Sequence, residues 1–147
     1  MLFRSVYSLA DDAWDEAGPD PGWTYRDTLA HVASNGLRVQ TRIRSLLGER
    51  DEAEIEALRD WDGWNRRAVE ERRGRPVSEL VDELAASRHE TLRLLSRVGP
   101  KLLSAPITMS DGRTANVLEY IDMFTGHEAG HAAQLIPASR ARRFTTP

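Results

Sequence analysis

Apolar residues recur along this chain with the 3.6-residue period of α-helices, and strand-like alternation is not sustained anywhere. Leu2, Val6, Leu9 and Ala13 mark one face of a short first helix, which stops at the breaker run AGPDPG, Ala17 to Gly22. A second helix opens at Thr24, where Thr24 and Asp27 make a capping pair, and runs to about Leu47 before Gly48. Its apolar stripe is Tyr25, Leu29, Val32, Gly36, Val39, Ile43 and Leu46. Glu49 to Asp60 is acidic and polar, as expected of a solvated, partly helical connection. WDGWNRRAVEERRGRP then supplies a short helix stopped by Gly74 and Pro76. Ser78 is placed to cap another long helix, with Leu80, Leu84, Thr91, Leu95 and Val98 on one face and an end at Gly99-Pro100. After a loop around SDGRT, the last helix covers about Thr114 to Ile136, closed by Pro137. Residues 1–137 therefore read as a single all-α domain, a four-helix bundle with a short helical crossover, followed by a loose C-terminal tail over 138–147.

Length and composition bound what such a bundle can do. A chain of 147 residues is large enough to bury roughly two-thirds of its unfolded surface in one core. It has no cysteine, which excludes disulfides, thiolate metal sites and a nucleophilic thiol of its own, and fits a reducing cytoplasm. No signal region is apparent and no apolar run approaches the ~20 residues a bilayer requires, so no membrane partner is expected. The formal net charge of −3, with both signs interspersed, leaves no electrostatic footprint for nucleic acid. All of the 20 basic residues except Lys101 are arginine, which reads as the codon bias of a GC-rich bacterial genome.

The chemistry concentrates in the last helix, where GHEAGHAAQL places His127 and His131 four residues apart. At ~100° per residue both fall between Tyr120, Phe124 and Leu135 on the apolar stripe, so both point inward. Two buried imidazoles one turn apart each carry a desolvation cost and need separate partners, which is the case against two ordinary core histidines. A shared divalent cation satisfies both at once, because i and i+4 side chains lie ~5–6 Å apart at Cβ and suit two Zn–N bonds of about 2.0–2.1 Å. Gly126 and Gly130 make a smooth strip on which a neighbouring helix can come close, with plain close packing as the alternative use. A catalytic site needs a third ligand. His89 lies opposite its helix stripe and reads as solvated, whereas His31 sits ~110° from the centre of its stripe, on a flank with Thr28, Asn35 and Arg42. Periodicity leaves that flank either facing a cleft or wet.

Three motifs carry a resemblance. PGWTYRDTLAHVA, Pro21 to Ala33, resembles the tryptophan-led helix start of the DinB/YfiT-like family of bacterial metal-binding bundles, with its Arg-Asp and following histidine. GHEAGHAAQL resembles that family's closing motif, and Trp61 to Leu80 is similar to its middle segment. The likeness covers the chain from about Leu9 to Leu135. It implies an up-down-down-up four-helix bundle, with a divalent metal, commonly nickel or zinc, held by His31, His127 and His131. PDPGW also resembles the mycothiol-dependent maleylpyruvate isomerase branch, from which the chain departs in having His127 where that branch has glutamate.

Three imidazoles on one ion leave a vacant coordination position for water or substrate, whose acidity the metal raises. A low-molecular-weight thiol bound there would become the nucleophile this cysteine-free chain lacks. The resemblance thus implies a metal-dependent enzyme, a thiol S-transferase or a hydrolase acting on a small reactive electrophile. A non-catalytic bundle that binds metal or a small ligand, as a stress or self-resistance protein, is the alternative. Asp27 is placed either to orient His31 or to cap its helix, and Gln134 either to meet an open ligand or to face solvent. Trp14 and Trp23 read as a wedge between the first two helices, while Trp61, Trp64 and Asn65 in the crossover are candidates for lining a pocket. Family members usually carry some ten or more residues before the segment matching SLADDAWDEAG. Here only Met1 to Tyr7 precede Ser8, which gives a shortened first helix of ~24 Å, an exposed apolar end and a homodimer that covers it.

Overall fold

The structure, a computed structural model, describes residues 11–109 and 112–142, with side chains as far as residue 135. Helix α1 spans Tyr25–Leu46, α2 Glu52–Ala57, α3 Trp61–Glu70, α4 Val77–Leu95, α5 Pro100–Leu103 and α6 Val117–Arg142. The shortened first helix falls largely on residues 1–10, outside the described residues. The described part of that expected stretch holds a 3₁₀ turn, Asp11–Ala13, followed by the buried Trp14.

Helix α1 starts where the sequence signals it. The Asp27 amide donates to Thr24 Oγ1 at 3.1 Å and the Thr24 amide donates to Asp27 Oδ2 at 3.0 Å, a reciprocal capping box. Thr24→Ala removes one half of that box and is expected to lower stability by about 1 kcal/mol in urea unfolding. Helix α4 starts differently from expectation. Its N-cap is Pro76, with no side-chain cap, and Ser78 lies exposed in the first turn. Pro76 has φ −55°, close to the helical value, and its carbonyl accepts from the Leu80 amide at 3.2 Å, so the turn forms without a hydroxyl. Helix α6 begins after Asn116 and continues through Pro137 to Arg142 rather than ending at Pro137. The missing proline donor leaves the carbonyl of Ala133 to solvent, and Ala133 is exposed. One short antiparallel pair interrupts the helices, Ile107–Thr108 (β1) with Thr114–Ala115 (β2), bracing the loop before α6.

Helix α1 is the centre of the bundle and packs against α4, α3 and α6. One apolar cluster joins Trp14, Leu29, Val32, Leu80, Leu84 and Leu135; a second joins Val39, Ile43, Leu94, Ile107, Val117 and Tyr120. Between these, α1 and α4 are pinned by Gln40 Nε2, which donates to the Ser87 carbonyl at 2.9 Å and to Ser87 Oγ at 3.1 Å. The close helix approach belongs to Gly36, where a Cβ would sit 2.0 Å from Ser87 Oγ. Gly126 and Gly130, expected to form such a strip, are exposed and meet nothing within 4 Å. The expectation fails because the strip lies on the solvent side of α6, while the histidines beside it turn inward. The crossover is held by Arg72, whose guanidinium donates to Glu83 Oε1 at 2.8 and 2.6 Å and to the Ala68 carbonyl at 2.8 Å. Arg75 donates to the other oxygen of Glu83 at 2.6 Å, so one carboxylate ties the end of α3 and the turn after it to α4. No described helix is long and apolar enough to cross a membrane.

Candidate metal centre

His31, on α1, is only 3% exposed. Its flank position is buried because α1 has neighbours on several sides: Thr28 and Asn35 on the same flank are buried too. His127 and His131 project from α6, one turn apart and half-buried. The three rings meet edge to face, with centroids 5.1 Å apart for His31–His127 and His31–His131 and 4.5 Å apart for His127–His131. Their Nε2 atoms converge: His31 to His127 is 3.3 Å and His127 to His131 is 3.1 Å. Bonds of about 2.0–2.1 Å to one ion set neighbouring nitrogens about 2.8–3.4 Å apart between octahedral and tetrahedral angles. The observed spacings fall in that interval, and the three residues form a group able to hold a metal ion.

The opposite edges of the rings decide which nitrogen is free. His131 Nδ1 lies 2.7 Å from Gln134 Oε1; an Nδ1–H donated there leaves Nε2 with its lone pair facing the cluster. Asn35 Nδ2 lies 3.2 Å from His127 Nδ1 and 3.4 Å from His31 Nε2, while its Oδ1 is buried without a partner. Reversing that amide puts Oδ1 on His127 Nδ1–H, which satisfies the oxygen and again frees Nε2. His31 Nδ1 is buried without a partner, and the Trp23 ring covers this imidazole at 5.1 Å between centroids. Burial, then His127, His131 and Arg38 in turn, pushes the His31 imidazole down to about 3. Burial, then His131 and Arg38, lowers His127, while Asp20 opposes the shift. Neutral imidazoles with converging lone pairs are the protonation state a metal requires.

These shifts fix a pH response for the metal-free protein. The unfolded chain takes up a proton on His31 near its ordinary value of 6.5, whereas the folded chain does so only near about 3. Stability is therefore complete above about pH 6.5 and declines as pH falls towards about 3. Urea unfolding in chelator is expected to give a lower midpoint at about pH 5 than at about pH 7.5; equal midpoints would contradict the burial of His31.

The remaining sequence candidates are distributed around the cluster. Asp27 caps α1 and lies 3.6 Å from Arg73, and it makes no hydrogen bond to His31. Trp61 lines a cavity of about 270 Å³ beside the cluster, together with Arg38, Arg42, Tyr120, Met123 and Phe124. Trp64 lines a different, smaller cleft with Thr41, Arg44 and Glu54. Asn65 lines neither; its Oδ1 accepts from Arg38 Nη1 at 3.2 Å. His89 is exposed. Sequence reasoning passed over Asn35 and Arg38, one and two turns beyond His31, and Tyr120, two turns before His127. Stepping along each helix in fours and sevens from the histidines finds all three.

The sequence model of the DinB superfamily matches residues 1–135. The fold is similar to the crystal structure of the mycothiol-dependent maleylpyruvate isomerase, with a TM-score of 0.74 at 16% identity over 91% of this chain. A histidine-to-alanine mutant of that enzyme gives 0.75 at the same identity and coverage. The chain spans 54% of the length of that enzyme. The comparison with curated proteins finds no match.

Proposed function

Since the chain belongs to the DinB superfamily, we propose that it is a metal-dependent enzyme that joins a low-molecular-weight thiol to a small electrophile. The observation that carries this reading is the convergence of His31, His127 and His131, with Nε2 of His127 3.3 Å from that of His31 and 3.1 Å from that of His131, near a cavity in a chain without cysteine. His31, His127 and His131 would hold zinc or nickel, with Gln134 and Asn35 fixing the tautomers of His131 and His127 respectively. Bound there, the metal supplies Lewis acidity that lowers the pKa of a thiol or water in its open position.

The chain's own residues supply the rest. Burial keeps His31 neutral, so it does not compete as a proton donor near neutral pH. Trp23 shields the His31 ring. Trp61 and Phe124, 6.5 Å apart between centroids, form apolar walls for the electrophile. In the transfer, the thiol gives up its proton, its sulfur forms a bond to the electrophilic carbon, and a leaving group departs with the bonding pair. With water in place of thiol the same site would hydrolyse the electrophile.

The test is consumption of a bimane electrophile by zinc- or nickel-loaded protein with mycothiol, bacillithiol, glutathione or water. Turnover by the loaded wild type and not by the His127→Ala, His131→Ala protein is the expected result. Rates no higher than solution with every partner would leave the bundle as a metal- or ligand-binding protein and overturn the catalytic reading.

A further inference from the structure

The cavity beside the histidines carries an unusual charge arrangement. Arg38 is 1% exposed, yet among the described residues no carboxylate pairs with it. Its guanidinium stacks 3.1 Å over the Trp61 ring and 4.7 Å over the Trp64 ring, and donates to the neutral Asn65 amide oxygen. One turn further along α1, Arg42 reaches the same cavity and hydrogen-bonds Tyr120, while its Nε is buried without a partner. Arg113 lines the wall as well, and no acidic side chain does so among the described residues. Burial, opposed in part by Tyr120, and then repulsion from Arg42 lower Arg38 to about 10, so its guanidinium keeps its charge near neutrality. Buried charge is ordinarily paired, and among the described residues these two adjacent cations facing one cavity have no anion to pair them.

We propose that this cavity binds a small organic carboxylate with an apolar or aromatic body, its anionic group held between Arg38 and Arg42. Guanidinium forks match a carboxylate in geometry, and an unpaired buried Nε supplies one of the donors. Trp61, Met123 and Phe124 supply the apolar wall. At about 270 Å³ the space is at the lower end of ligand sites, which suits a small metabolite. Arg38 lies seven residues beyond His31 on α1, roughly 10 Å along the axis, and Phe124 lies one turn before His127 on α6. The cavity thus shares α1 and α6 with the three histidines, and Arg38 is near enough to influence His31 and His127. This inference deepens the enzyme reading above and rests on it for the claim that the ligand is the substrate: the electrophile would be an acid, anchored by its carboxylate.

The experiment titrates 3-phenylpropionate, its neutral amide and inorganic phosphate into metal-free and zinc-loaded protein, with tryptophan fluorescence and calorimetry as readouts. The acid is expected to bind both forms, with the amide and phosphate each weaker by about tenfold or more. Arg42→Met is expected to weaken the acid by about tenfold or more while zinc content stays unchanged, and Arg42→Lys to restore part of the loss. Equal affinity for acid and amide, or indifference of the acid to Arg42→Met, overturns the proposal. Phosphate binding more tightly than the acid overturns the carboxylate assignment. If Arg42→Met does not fold, the acid-to-amide ratio of the wild type decides. Because the metal-free arm reads the arginines alone, loss of the metal reading would leave carboxylate binding intact, and loss of this proposal would leave zinc uptake intact.

Discussion

Changing His127 and His131 together to alanine is expected to reduce bound divalent metal from about one ion per chain to none. One imidazole remains, buried on α1, and a single histidine cannot hold a zinc or nickel ion against a chelator. The same change should abolish the stabilisation that metal gives the folded state. An ion present at a thousand times its dissociation constant adds about 4 kcal/mol, on the order of 10 °C in midpoint for a chain of this size. Chelator should thus lower the melting temperature of the wild type by that amount and leave the double variant unmoved. Calorimetry with and without chelator, beside elemental analysis, reads both effects. His31→Ala should also lose metal, and it should cost the metal-free fold some stability as well, because the ring is packed under Trp23 rather than lying on a wet flank.

Glu83→Ala should be the most damaging single change outside the histidine cluster, at about 3–4 kcal/mol in denaturant unfolding. Arg72 is 8% exposed and its charge is balanced mainly by Glu83, so removing that carboxylate leaves a buried cation with the Ala68 carbonyl and the more distant, exposed Glu71 carboxylate at 3.6 Å. Arg75 loses one of its two carboxylate partners in the same step, keeps Glu79 at 3.3 Å, and is exposed enough for water to compensate. Glu83→Gln keeps the shape and one acceptor and should cost less than half as much. Because this carboxylate ties the end of α3 to α4, the Ala variant should also disturb the stacking of Trp61 on Arg38, visible as a shift in tryptophan emission.

The bundle was legible because its stripes are regular and its boundaries carry explicit punctuation. Thr24 with Asp27, and Gly48, each mark an end of α1 that the structure reproduces within a residue or two, whereas α3 ends at Glu70, four residues before Gly74, and Pro76 instead marks the start of α4. Periodicity also pointed His127 and His131 inward. It could not decide His31, since a stripe computed for one helix does not say how many neighbours that helix has. A helix at the centre of a bundle buries its flank as well, and Asn35 and Arg38 are inside for the same reason. In α4 the fully buried residue near the end is Leu94 rather than Leu95, a shift of 100° that a short stripe does not resolve. The glycines misled because small residues fit equally on a solvent face and at a helix crossing, and only the partner's position tells them apart. The arginine pair was illegible for a different reason. In a chain whose basic residues are nearly all arginine, two more attract no notice until the structure shows no carboxylate beside them among the described residues.

X-ray absorption at the metal edge of zinc- or nickel-reconstituted protein tests the central claim most directly. The account predicts three imidazole ligands with nitrogen at about 2.0–2.1 Å from the ion, falling to two in His31→Ala if any metal is retained. A shell dominated by carboxylate or water oxygens, or an imidazole count unchanged by His31→Ala, would contradict it.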